Sequence, residues 1–241
     1  MKNILIFIAF FAFMGILSSQ TMNLNKKDGS TESFNLSEIE NITFSLTGGW
    51  SDDFEGYAAG TFPSSNWTGS GYGYLPDSYI DNSKSYSGSQ SLKLYGIPNG
   101  NWAAIASRPL LLSPPFSIEL FVFNGSETIG PSPHFTRCAI SFRTGQDWVG
   151  TTGRSLFYFY WTGEIYGISS VIGTYATGVW YKVKMSYEIT NANKIKVSYW
   201  LNDNFITTQE ADIFDYESDL KNFWLEVAAG SGWYDNVKIL K

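Results

Sequence analysis

Beyond residue 50 the chain is written in steps of two. Leu92 and Leu94 alternate with Ser91, Lys93 and Tyr95, and Ile118, Leu120 and Val122 alternate with Ser117, Glu119 and Phe121. The longest stripe sets Tyr181, Val183, Met185, Tyr187 and Ile189 on one face and Lys182, Lys184, Ser186 and Glu188 on the other. Ile195, Val197, Tyr199 and Leu201 repeat it against Lys194, Lys196, Ser198 and Trp200, and Phe223, Leu225 and Val227 repeat it again. A period of two marks a strand with one buried face, and no window holds a helical period over several turns. The stretch 213–223, with Asp215, Glu217 and Asp219, predicts a loop or a single turn. Asn191-Ala192-Asn193, between the two longest stripes, predicts a tight hairpin. Regular strands punctuated by Gly, Pro, Asn and Asp predict an all-β antiparallel sandwich over residues 48–241. Nothing repeats at propeller or solenoid length.

The start of the chain follows a different pattern. Lys2 precedes an unbroken apolar run from Ile4 to Leu17, and Ser18-Ser19-Gln20 follows. That predicts a cleaved signal peptide over residues 1–20, because the run is short for a bilayer span. An uncleaved anchor is the competing reading. No cysteine sits near the cleavage site, which argues against a lipid anchor there, and no later stretch is apolar enough to span a membrane. The expected location is secreted, periplasmic or cell-surface. Residues 21–47 then read as a small hairpin unit. Met22 and Leu24 alternate with Asn, Asp28-Gly29 is a turn signal, and Phe34 and Leu36 alternate again. Ser37 to Glu40 reads as a capped turn before Ile42-Thr43-Phe44, and Thr47-Gly48-Gly49 as a hinge. This unit resembles a short leader segment that recurs after signal peptides in bacterial secreted and surface proteins.

Composition narrows the partners. The formal charge of −6 becomes −7 once Lys2 leaves with the leader, and no basic cluster offsets it, so nucleic acid is excluded as a natural partner. Cys138 is the single cysteine, so no internal disulfide is available, and alternation with Ile140 and Phe142 predicts a buried thiol. Aromatic residues make up 17% of the chain, with 9 Trp and 15 Tyr, more polar-tipped rings than a sandwich core needs. Such rings also stack on flat apolar faces, as sugars present.

Three short motifs point to a family. Asp52-Asp53-Phe54-Glu55-Gly56 opens the main body, Ser85 to Leu94 runs from a turn into a strand, and Trp233-Tyr234-Asp235-Asn236-Val237 leads into the chain end. Together, with the paired stripes entered through Thr177 to Tyr181, they resemble the concanavalin A-like jelly-roll lectin and glucanase superfamily, which includes many carbohydrate-binding modules. The resemblance covers roughly residues 50 to 241. It implies that the first and last strands lie side by side and brace one structural calcium ion. Glu55 and Asp235 would give side-chain ligands; Asp53 and the loop from Ser87 to Gln90 would give main-chain oxygens. A hard cation takes such oxygens. The plainer reading makes these acids ordinary turn residues.

Glycan-binding candidates are aromatics in polar surroundings: Trp67, Tyr72, Tyr74 and Tyr79 in a Gly/Ser-rich stretch, Trp102 after Asn99-Gly100-Asn101, and Trp148 after Gly145-Gln146-Asp147. From Leu156 to Trp161 one face carries Phe157, Phe159 and Trp161 and the other Tyr158 and Tyr160, so one face is core and the other an aromatic row. Catalysis finds less support. The acid pair of a glycosidase, about 5–9.5 Å apart, is not written on any strand in a Glu-x-Asp-x-Glu pattern. Glu119, Glu164 and Glu226 read as isolated outer-face charges and His134 as a loop residue. Nucleophile elbow, phosphate loop and zinc cluster are all missing. The expectation is an exported, non-catalytic carbohydrate-binding domain with a structural calcium ion. A structural or adhesive surface protein that contacts protein or itself, and an unrecognised glycan-cleaving enzyme, are the alternatives.

Overall fold

The computed structural model describes residues 21–25, 29–35, 49–71, 77–97, 103–127, 136–147, 151–190, 193–213 and 221–241. The chain divides into two units, residues 1–45 and 46–241. In the first, β1 (Thr21–Asn25) pairs antiparallel with β2 (Thr31–Asn35), Met22 opposite Phe34 and Leu24 opposite Glu32. Gly29 takes a positive φ of 85°, as a turn at that place requires. The expected signal peptide, capped turn and hinge residues Thr47 and Gly48 lie outside the described residues.

The second unit is an antiparallel jelly-roll sandwich, and no helix occurs among its described residues. Its early strands are short: β3 (Trp50–Asp52), β4 (Thr68–Ser70) and β5 (Tyr79–Asp81). There follow β6 (Ser91–Gly96), β7 (Ala103–Pro109), β8 (Phe116–Asn124), β9 (Arg137–Arg143), β10 (Gly153–Phe159), β11 (Glu164–Tyr166) and β12 (Val171–Thr174). The last five are β13 (Trp180–Thr190), β14 (Lys194–Leu201), β15 (Asn204–Asp212), β16 (Asn222–Ala228) and β17 (Gly230–Leu240). One sheet has the order β12-β11-β10-β9-β16-β7-β4 and the other β15-β14-β13-β8-β17-β6-β5. Consecutive β16 and β17 lie in different sheets. The chain crosses between them at Ala229 and Gly230, with φ of 61° and 117°.

The predicted stripes form the core between the sheets. Leu92, Leu94, Ile118, Leu120, Val183, Met185, Ile195, Val197, Phe223, Leu225 and Val227 are all buried there. Ile189, the last residue of its stripe, is instead 52% exposed, because the alternation outruns the opposing sheet at that strand end. The Thr190 to Lys194 pairing closes the hairpin around Asn193 at φ 52°. Cys138 is buried beside Ile140 and Phe142, and burial pushes its thiol far above the ordinary range, which keeps it an inert core group.

The first and last strands of this unit meet. β17 pairs with β6 up to Tyr234, bulges after Asp235, and then pairs with β3 along the same edge, Val237 opposite Asp52. Asp235 and Asn236 therefore sit where one neighbour strand ends and the other begins.

Candidate functional site

Among the described residues, two of the places that gather polar side chains hold the candidates named above. The first is the junction in β17. Asp235 Oδ2 accepts hydrogen bonds from the amides of Tyr86 (2.8 Å) and Ser87 (3.1 Å), and Oδ1 from that of Asn236 (2.7 Å). Glu55 reaches the same loop: Oε1 accepts from the amides of Ser89 (2.9 Å) and Gln90 (3.1 Å), Oε2 from Ser89 Oγ (2.6 Å). Gly88 makes this approach possible, since a Cβ there would lie 2.4 Å from Glu55 Oε1. The hydrogen bonds from Ser89 hold Glu55 below its ordinary pKa, whereas burial pushes that of Asp235 up, with the charge of Glu55 adding to it.

Glu55 and Asp235 thus share one loop, and one of them is buried at a cost its neighbour raises; among the described residues no group of three or more acidic, His or Cys side chains gathers there or elsewhere to hold a metal ion. Ser87 and Gln90 meet them differently from the expectation, with N–H donors aimed at the carboxylates. Gln90 also ties the turn down, Nε2 donating to the carbonyls of Phe54 and Tyr57. Asp53 closes its own turn, Oδ1 accepting from the amide of Glu55.

The second place is a groove of about 580 Å³ on the outer face of the sheet containing β9, β10 and β16. Register explains its shape. Tyr166, Tyr158, Ala139 and Glu226 lie in one row across β11, β10, β9 and β16, and Ser155, Ser141 and Trp224 are aligned beside them. Small residues in the middle strand leave a depression between larger neighbours. Tyr158 and Glu226, two strands apart, face across about 10 Å. A bulge in β10 at Ser155 to Phe157 sends Leu156 and Phe157 both to the core and returns Tyr158 to the groove side.

Three tyrosines form one wall. Tyr158 and Tyr166 stack at 4.9 Å and 5°, and Tyr160 contacts them edge-on at 6.0 and 5.3 Å. Loss of surrounding water raises the pKa of Tyr158 and of Tyr166. The neighbouring phenols add to it at Tyr158, and at Tyr166 the Glu164 carboxylate does, accepting from its hydroxyl at 3.3 Å, so these phenols stay protonated at neutral pH. They can stack and exchange hydrogen bonds but are poor bases. Opposite, Glu226 is only 8% exposed and pairs with Arg143 at 3.4 Å. Arg143 spans the absent side chain of Gly153, where a Cβ would lie 2.2 Å from its Cδ, and rests 5.3 Å from the Trp224 ring. Tyr234 reaches through from the other sheet to the main chain of Ala139 and Glu226 (3.1 and 2.6 Å), which pins this floor. Trp224 Nε1 donates to the Gly145 carbonyl.

Of the glycan-binding candidates, Tyr158 and Tyr160 fall in this groove. Trp67 does not: it is 2% exposed, its indole N–H donates to Asp52 Oδ2 (2.9 Å), and its ring packs against Trp50, Phe54 and Phe223. Polar neighbours in sequence concealed a core residue whose polar atom is satisfied by a buried carboxylate. Trp161 also departs from expectation. β10 ends at Phe159, so its ring turns to Tyr160 (4.8 Å) instead of the core. Glu226 is a correction too, a buried groove residue rather than a solvated charge. Tyr72, Tyr74, Trp102, Trp148 and His134 lie outside the described residues. Arg137, Arg143 and Tyr166 went unnoticed in sequence, although the alternation that buries Cys138 and Phe142 puts both arginines on the opposite face.

No family model matches the sequence, and no curated protein matches it. Solved structures do match the fold. An endo-β-1,4-glucuronan lyase from the fungus Trichoderma reesei superposes with a TM-score of 0.53 at 10% identity, over 77% of this chain and 95% of that one. An endo-1,3-β-glucanase from Streptomyces sioyaensis gives 0.53 at 12% identity, over 83% and 100%. What is shared is the fold, an antiparallel jelly-roll sandwich.

Proposed function

We propose that this chain is an exported, non-catalytic glycan-binding domain whose ligand lies in the tyrosine-walled groove. The observation that carries this reading is the register row that sets the stacked Tyr158 and Tyr166, with Tyr160 against them, beside a floor of Ala139, Ser141 and Ser155. Sugar rings offer apolar faces to such rings and hydroxyls to the Arg143–Glu226 pair. Among the described residues lining the groove Glu226 is the one carboxylate, so the acid pair of a glycosidase is not assembled from them. The fold is shared by enzymes that act on polysaccharides, and this likeness supports a glycan ligand without choosing its chemistry. We also propose that Glu55 and Asp235 hold a structural calcium ion, whose charge would offset repulsion between them.

The test is binding of purified protein to a panel of soluble polysaccharides by affinity electrophoresis. Tyr158→Ala and Tyr160→Ala should each weaken retention about tenfold, the size of a lost aromatic contact, with unchanged melting. Retention by both variants at the wild-type level would refute the groove as the site. A cleaving enzyme is the second reading, favoured by the burial of Glu226 in the groove floor. It predicts new chain ends on incubation with one of these polysaccharides, abolished by Glu226→Gln in a variant that still folds.

A further inference from the structure

The four arginines of the chain are not equivalent. Arg108 faces Asp52 at 3.4 Å, Arg143 faces Glu226 at 3.4 Å, and Arg154 donates to the Asp212 carbonyl of the other sheet at 2.8 Å. Each of these guanidinium groups has an oxygen acceptor within the fold. Arg137 differs. It opens β9 at the tyrosine end of the groove, half-buried, and among the described residues its guanidinium meets rings alone: Trp161 at 5.9 Å, with Tyr158 near enough to feel its charge.

We propose that Arg137 is the subsite for an anionic group on the bound glycan, a carboxylate or sulfate, so that the ligand is an acidic polysaccharide. This rests on the glycan-binding reading of the groove and deepens it. A guanidinium offers two parallel N–H donors that match an oxyanion, and stacking against an aromatic face orients that fork while leaving its edge available. The surrounding rings lower the local dielectric without competing as acceptors, which strengthens a charge-assisted hydrogen bond. Placement supports the same assignment. Tyr158 lies opposite Ala139, two residues along β9 from Arg137, so a sugar stacked on Tyr158 would carry its substituents within reach of the cation. In a chain of net charge −6, an arginine beside an open groove with no carboxylate partner among the described residues also runs against the general field. The groove therefore selects for anions where the rest of the molecule repels them.

The experiment compares three probes on the full chain: a polyuronate, a sulfated polysaccharide and a neutral β-glucan. The expected result is tighter binding of at least one acidic probe than of the neutral one, weakened by salt. Arg137→Met should lower acidic-probe affinity by about tenfold or more, the weight of a charged hydrogen bond, and leave neutral-probe binding and melting unchanged. Arg137→Lys should restore part of the affinity. Preference for the polyuronate identifies a carboxylate, and preference for the sulfated chain a sulfate. If the neutral glucan binds best and Arg137→Met changes nothing while Tyr158→Ala weakens binding, the anion subsite is wrong and the glycan groove stands. If no probe binds, both fall together.

Discussion

The junction in β17 and the groove on the opposite sheet both gather charged side chains, but they use them differently. At the junction every carboxylate oxygen of Glu55 and Asp235 already accepts a hydrogen bond from the 86–90 loop or from Asn236. Those groups close the sandwich. In the groove three tyrosine rings and Arg137 line a space large enough for a ligand. Interactions completed inside the fold contribute stability, and those left open are available for recognition.

Trp67 and Tyr158 give the sharpest contrast, since sequence alone put both on a glycan-binding surface. Trp67→Ala should cost about 3–5 kcal/mol, as for other buried aromatics, and remove one of the side-chain donors to the buried Asp52, leaving it Tyr57 and Arg108. Tyr158→Ala should leave denaturant midpoints close to wild type and weaken binding about tenfold. Chemical denaturation of the two variants checks this, and equal midpoints would dissolve the distinction.

A smaller effect tests the junction. A calcium ion present at a hundred times its Kd would add about 2.7 kcal/mol, so chelation should lower the melting temperature of metal-saturated protein. Glu55→Gln combined with Asp235→Asn should abolish that response. Glu188→Gln breaks only the exposed pair with Lys196 and should leave it intact. Coincident melting curves with and without chelator would mean that the amides alone satisfy the two acids.

The smallest expected effect is one of sign. In metal-free protein Glu55, held below its ordinary 4.5, contributes stability that is lost as pH falls through its folded pKa. Asp235 is raised above its ordinary 3.8, so the native state takes up a proton before the unfolded chain does. Lowering pH into that interval therefore adds stability. Glu55→Gln should flatten the acid-side loss and Asp235→Asn the gain. Melting temperatures followed from neutral to acidic pH would separate the two, and identical profiles would deny the opposition.

Much of this architecture was legible in the chain. Alternation in residues 92–94, 118–122, 183–187, 195–199 and 223–227 determined which faces meet in the core, because a strand with one dry side has no other way to distribute its apolar residues. It also paired the two aromatic faces of β10 correctly at Phe157, Phe159, Tyr158 and Tyr160. The motifs around Glu55 and Asp235 anticipated that distant strands would lie together. What lay beyond alternation was how neighbouring strands align. Trp67 became core because the strands around it brought Asp52 to its indole nitrogen. Glu226 became a groove residue because β16 inserts between β9 and β7 and sets it beside Ala139. Arg137 stands out only once Arg108, Arg143 and Arg154 have found acceptors from other strands. Periodicity is local and fixes the face a side chain takes; the partner it meets depends on register between segments well over a hundred residues apart, as Asp52 and Val237 are, which is settled only when the sheets form.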